Sequence, residues 1–230
     1  MRFTIWTPLP ETAPHAGVRV LWRLGRELTT RGHHVTMWTR GEPQPDADVL
    51  ILPERTAPET SHPRTVRWVL LHGGQRRPTD RLYTWSPAYA DAPLLNVPYF
   101  DLEDFPPTDQ PRHGTAIWVG KGTPNTPIPA DARPITYRLP RAEVLHILAT
   151  SVTLLSFDPF SAVNTEATLL GTPVHIPQPR PPEMPAGDNP GIRWADVDNT
   201  ATLNEARDHV RTANVAAHAT VDAFEKDMLA

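Results

Sequence analysis

The chain has 230 residues, enough for one large domain or two small ones, and 39% of them are hydrophobic, enough for a packed core. A formal net charge of -4 gives no global attraction to nucleic acid or to anionic membranes, and the basic residues are arginines except for Lys121 and Lys226. The absence of cysteine excludes disulfides, thiolate metal sites and cysteine nucleophiles.

Residues 2–6 read as a strand and lack the basic and apolar regions of a signal peptide. No apolar run approaches the ~20 residues that span a bilayer, so a cytoplasmic protein is the expectation. After a proline-rich loop, Val18, Leu21, Trp22, Leu24, Gly25 and Leu28 recur at helical spacing. Arg31-Gly32 ends that helix, with glycine where a left-handed cap is wanted. Residues 35–39 form the next strand. Residues 48–52 and 65–71 are apolar runs of the kind buried on both faces of a parallel sheet. Residues 82–85 and 94–97 complete a first series.

Residues 101–114 are acidic and proline-rich, as a linker would be. A second series follows: a strand at 115–119 ending at Gly120, a short strand at 135–138, a helix at 141–149, a strand at 152–157, a helix at 165–170 and a strand at 174–176. A proline-rich loop occupies 178–191. Leu203, Ala206, Val210, Ala213, Ala217, Val221, Phe224 and Met228 then hold a helical stripe for about seven turns. Two such series imply an α/β chain of two Rossmann-like domains, 1–105 and 106–230, with parallel sheets facing a cleft.

The densest chemistry lies between Phe157 and Val174. Asp158 sits in the loop after an apolar strand, Glu166 falls eight positions later inside the next helix, and Gly171-Thr172-Pro173-Val174 turns into another strand. A helix N-terminus offers free backbone N–H groups to a diphosphate, and carboxylates accept hydrogen bonds from sugar and ribose hydroxyls. The segment therefore suits a sugar nucleotide. Lys121, between Gly120 and Gly122 just past a strand, could neutralise the charge that grows on a leaving diphosphate. The competing readings are an Asp158 that serves the helix dipole, a Lys121 that is simply solvated, and an Arg138 held in an ion pair.

Five arginines, Arg64, Arg67, Arg76, Arg77 and Arg81, cluster with only Asp80 among them. They form either a solvated rim or a surface for an anionic acceptor, nucleic-acid phosphates included. His33 and His34 follow a helix cap and read as structural. The ten histidines show no metal-ligand spacing, so no protein-bound metal is expected. Neither G-x-G-x-x-G nor G-x-x-x-x-G-K-[ST] is present, which argues against other doubly wound nucleotide binders.

Taken together, these segments resemble the GT-B glycosyltransferases, specifically the retaining enzymes of the glycosyltransferase family four type. The resemblance rests on Ala16-Gly17-Val18-Arg19, Arg31-Gly32-His33-His34-Val35-Thr36, His72 after a strand, Ser86-Pro87-Ala88, Trp118-Val119-Gly120-Lys121-Gly122, the Asp158-x7-Glu166 pair and Gly171-Thr172-Pro173-Val174. Four departures accompany it. Asp158 replaces the usual glutamate, Ser161 replaces a glycine, the usual second glycine near Gly17 is missing, and the chain is shorter than typical members.

The resemblance implies transfer of a sugar, with retention, from a UDP- or GDP-sugar to an acceptor hydroxyl on a glycan, lipid or small molecule. Lys121, Asp158 and His72 would be catalytic. Glu166, Ser161, Ala162, Arg138, Gly120 and Gly17 would bind the donor, and Arg76 and Arg77 would lie on the acceptor side. No cofactor beyond the donor is implied. Two alternatives stand beside it: a DNA glycosyltransferase acting on a hydroxymethylated base, and a non-catalytic sugar-nucleotide binding module.

Overall fold

A computed structural model describes residues 1–11, 16–54, 58–70, 77–87, 89–182 and 190–230. By its internal contacts the chain divides into two units. One comprises Met1–Tyr99 together with Ala213–Ala230, the other Phe100–Thr212.

The first unit is built on a five-stranded parallel sheet: β1 (Arg2–Thr7), β2 (His34–Thr39), β3 (Val49–Pro53), β4 (Thr65–Val69) and β5 (Arg81–Thr84), in the order β2-β1-β3-β4-β5. Alternation along the strands sends Phe3, Ile5, Val49, Ile51, Val66 and Trp68 to one face and Trp6, Trp38, Leu50 and Leu52 to the other. Both faces are apolar, which is why the strands read as continuous hydrophobic runs.

Helix α1 (Ala16–Thr30) buries Val20, Leu21, Leu24 and Leu28 in the first of these cores. It packs so closely on the sheet that a Cβ on Gly25 would stand 2.8 Å from Met37 Sδ. It ends where the sequence places the cap. Gly32 has φ +85, and His33 N–H bonds back to Leu28 O at 3.1 Å.

The second unit repeats the plan. Strands β6 (Thr115–Trp118), β7 (Arg133–Ile135), β8 (Thr153–Ser156), β9 (Val174–Ile176) and β10 (Ile192–Trp194) form a parallel sheet in the order β10-β9-β8-β6-β7. Helices α2 (Arg141–Ala149) and α3 (Ala162–Leu169) cover one face through Val144, Ile147, Leu148, Ala167 and Leu169. Ile117, Leu155 and Phe157 form a smaller core on the other. The proline-rich 101–114 segment is pinned by Arg112, whose guanidinium donates to Ser151 O at 3.1 Å, to Leu170 O at 2.7 Å and to the Thr172 hydroxyl.

Helix α4 (Leu203–Leu229) serves both cores in turn. Val210 packs into the second, while Val221, Phe224 and Met228 fill the first.

Several elements differ from the sequence reading. The strand expected at 94–97 is a single bridge between Leu94 and Thr84, because Pro93 and Pro98 cannot donate to a ladder; Leu95 and Val97 are core residues all the same. The short strand expected at 135–138 lies at 133–135. The helix expected at 165–170 begins at Ala162, because Ser161 caps it. Strand β10 was read as no element at all. It is three residues long, too short for any periodicity.

Candidate functional site

In doubly wound sheets, ligands sit outside the carboxyl ends of the strands where the strand order reverses. In the second unit that point lies between β6 and β8, which pair from Thr115↔Thr153 to Trp118↔Ser156. The loops leaving these two ends carry Gly120, Lys121 and Asp158.

Those loops are joined at close range. The Lys121 backbone N–H donates to Asp158 Oδ2 at 3.0 Å. Gly120 turns the first loop with φ +55, and a Cβ there would collide with the Asp158 carboxylate and stand 2.6 Å from Trp118 Nε1. A Cβ on Gly122 would overlap the Phe157 carbonyl. Two glycines are therefore needed for the loops to meet.

The Asp158 loop is itself fixed from α3. Asn164, almost fully buried, donates through Nδ2 to Asp158 O at 2.9 Å, while its Oδ1 accepts no hydrogen bond. Asp158 is 6% exposed, whereas the Lys121 side chain projects from the surface.

Two aromatic residues complete this end of the sheet. The Tyr137 ring packs edge-on against Trp118 with centroids 4.8 Å apart, and Tyr137 is 40% exposed. Burial, and then the negative charge of Asp158, hold its phenol above the ordinary tyrosine value. Trp118 is buried, and its indole N–H has no acceptor among the described residues. Sequence reasoning gave neither side chain a role of its own. Trp118 was read only as part of the strand and glycine-flanked loop at 118–122, and Tyr137 was placed inside a strand rather than just past one.

The remaining predicted residues are placed as follows. Ser161 acts as the N-cap of α3, its Oγ accepting Val163 N–H at 3.3 Å, and Ala162 is the first helical residue. Glu166 is completely buried one turn further on, with Arg141 Nη1 2.6 Å from Oε2. The Arg141 guanidinium also lies 5.8 Å above the Phe105 ring. This counter-ion carried no signal in the sequence. Arg138 is exposed, and its backbone N–H donates to Thr136 Oγ1 at 3.3 Å.

Gly17 belongs to the first unit, exposed in the first turn of α1. His72 and Arg76 lie outside the described residues.

The arginine cluster is held by partners inside the first unit. Arg77 and the buried Arg67 both bind Asp80, whose side chain is fully buried, and Arg77 also donates to the carbonyls of Thr60 and His62. Arg64 donates to Met228 O at 2.6 Å, and Arg81 pairs with Asp227 at 3.3 Å. Four of the five thus tie the sheet to its own loops and to α4.

A separate cavity of about 460 Å³ opens at the other end of the second sheet. Thr153, Thr172, His175 and Arg193 line it, and Gly120, Lys121 and Asp158 do not. Among the described residues no group of three or more His, Asp or Glu is arranged to hold a metal ion, and no helix is long and apolar enough to cross a membrane.

No protein-family model matches the sequence, and no curated protein does. Among solved structures the chain is similar to AviGT4, a glycosyltransferase involved in avilamycin A biosynthesis, with a TM-score of 0.58 and 14% identity over 99% of this chain and 96% of that one. The two chains share their fold, a pair of Rossmann-like α/β units with parallel sheets.

Proposed function

We propose that this protein is a nucleotide-sugar glycosyltransferase whose donor binds at the carboxyl ends of β6 and β8 and whose acceptor offers a hydroxyl. The observation that carries the reading is the junction of the Gly120–Lys121 loop with the Asp158 carboxylate at the point where the strand order reverses. The fold shared with a glycosyltransferase supports it.

Each residue then has a chemical task. Asp158 accepts hydrogen bonds from donor hydroxyls. The Lys121 ammonium, free to reach outward from its loop, neutralises the diphosphate as charge grows on it, a contribution larger in the transition state than in the ground state. Ala162 N–H, at the first position of α3, has no acceptor within its own helix and faces the anion's side of the helix dipole. Glu166, held beside Arg141, is assigned the ribose hydroxyls by the family resemblance. Retention of configuration follows the family resemblance, with donor orientation and leaving-group stabilisation in place of a glycosidase-type nucleophile. Each of the four placed arginines already holds an acidic or carbonyl partner in the first unit, so the acceptor is read as a glycan, lipid or small molecule rather than DNA.

The experiment is a calorimetric binding and hydrolysis screen of UDP- and GDP-sugars. At least one donor should bind and be slowly hydrolysed. Lys121→Ala should then lower turnover more than it lowers donor affinity. If no nucleotide or nucleotide sugar binds the folded protein, the reading fails.

A further inference from the structure

Three observations converge beside Asp158. Trp118 is 4% exposed, yet its indole N–H has no acceptor among the described residues, and a buried unmade hydrogen bond is costly enough to need an explanation. That N–H and the Asp158 carboxylate border the same point, the position a Cβ on Gly120 would take, with Trp118 Nε1 2.6 Å from it and the carboxylate at still closer range. Tyr137, packed edge-on against Trp118 and within reach of the Asp158 charge, presents 40% of its surface at the same end of the sheet.

A donor next to an acceptor is complementary to a hydroxyl, which gives one hydrogen bond and takes another. A half-exposed aromatic beside them offers an apolar face to the C–H side of a saturated ring. A nucleobase satisfies the aromatic but has no aliphatic hydroxyl for the pair. A diphosphate would meet repulsion from Asp158.

We infer that Tyr137 and Trp118 recognise the sugar ring of the donor, the Tyr137 face packing against it while Asp158 and the Trp118 indole take one of its hydroxyls. This rests on the glycosyltransferase reading and assigns two further residues to its donor site. A tyrosine phenol is neutral at physiological pH, so the Tyr137 ring meets the sugar without a second negative charge beside Asp158.

The test compares a nucleotide sugar with its own nucleoside diphosphate, using calorimetry on the full chain. Tyr137→Ala should weaken the nucleotide sugar about tenfold, since aromatic contacts of this size carry on the order of one factor of ten in binding. The same change should leave the nucleoside diphosphate within about twofold. Tyr137→Phe should retain affinity for both ligands, because the ring is what packs. Trp118→Phe keeps a buried aromatic while removing the N–H together with part of the bicyclic ring, so its unfolding is read beside its affinities. It should weaken the nucleotide sugar about three- to tenfold, the usual range for one hydrogen bond, and spare the nucleoside diphosphate.

Equal losses for both ligands in Tyr137→Ala would assign the ring to the base or the phosphates and overturn the inference. So would unchanged affinity for both. A wild-type protein that binds neither ligand would instead overturn the glycosyltransferase reading. Thermal unfolding of each variant separates lost contacts from lost folding.

Discussion

Arg141 Nη1 stands 2.6 Å from Oε2 of Glu166, a carboxylate with no exposure to solvent, while a third of the Arg141 side chain remains exposed. The pair links the first turn of α2 to the second turn of α3. A buried carboxylate deprived of its cation is costly, because removing one partner leaves the other's charge desolvated.

Arg141→Ala should therefore lower the unfolding free energy by about 1–3 kcal/mol, the usual cost of leaving a buried polar group without its partner. Glu166→Gln, which removes the charge that needs a partner, should cost less. Guanidinium denaturation of both single variants and the double variant measures the coupling directly. Additive effects would show that the contact carries no energy.

Two glycines should respond in opposite directions. Gly122→Ala forces a Cβ onto the Phe157 carbonyl, a backbone atom that cannot step aside, and should cost more than about 3 kcal/mol, among the larger single-residue effects. Gly17→Ala meets no atom within 4 Å on the exposed first turn of α1 and should stabilise by about 0.5–1 kcal/mol. Melting temperatures of the two variants decide both. Unchanged donor affinity in Gly17→Ala would also show that bare backbone at Gly17 is not needed by the donor.

Asp80 makes part of the first unit's stability depend on pH. Burial pushes its pKa up, but the Arg77 backbone N–H, the Arg77 guanidinium and Arg67 together draw it below the ordinary carboxylate value of 3.8. A depressed carboxylate stabilises the fold above its unfolded pKa and loses that contribution as pH falls through the folded one. Stability should accordingly fall below about pH 4. Asp80→Asn should be less stable at neutral pH and show a shallower acid dependence, readable from denaturation at pH 7 and pH 3. A parallel pH profile in wild type and variant would remove Asp80 from the account.

Phe224 tests which core α4 completes. It is fully buried, and its ring meets Tyr83 edge-on at 5.0 Å and Phe3 at 6.1 Å. Phe224→Ala should cost about 3–5 kcal/mol, as for other fully buried phenylalanines. Hydrogen exchange should place the loss in the first unit, with faster exchange in β1 and β5. Faster exchange confined to β6 and β8 would contradict the packing.

The strands were the most legible part of the sequence. Val49–Pro53 and Thr65–Val69 announce themselves because a parallel sheet covered on both faces needs unbroken apolar runs. Helix α2 was legible to its ends, and Gly32 marked the end of α1. Asp158 and Lys121 were found by their position after strands, and the structure brings their loops together.

What the sequence could not show was pairing over long separations. The stripe of α4 says that Val210 and Phe224 are buried, not that they enter different cores. The partners of Arg64 and Arg81 were out of sight because Met228 and Asp227 lie far away in sequence. Tyr137 carried no signal, since its meaning comes from Trp118 across a strand pair and from Asp158 beyond another loop. Each miss is a contact made by topology, which no local pattern encodes.

The return of α4 to the first core has a consequence for synthesis. A ribosome delivers the chain in order, and domains commonly close as they emerge. Here β1 to β5 appear early, but Val221, Phe224 and Met228 belong to the core they build and arrive only after the whole of the second unit. The unit that is made first must therefore be the last to close. Until then the part of the apolar face that α1 does not cover stays open, and that interval is where chaperone dependence or aggregation of the nascent chain would concentrate.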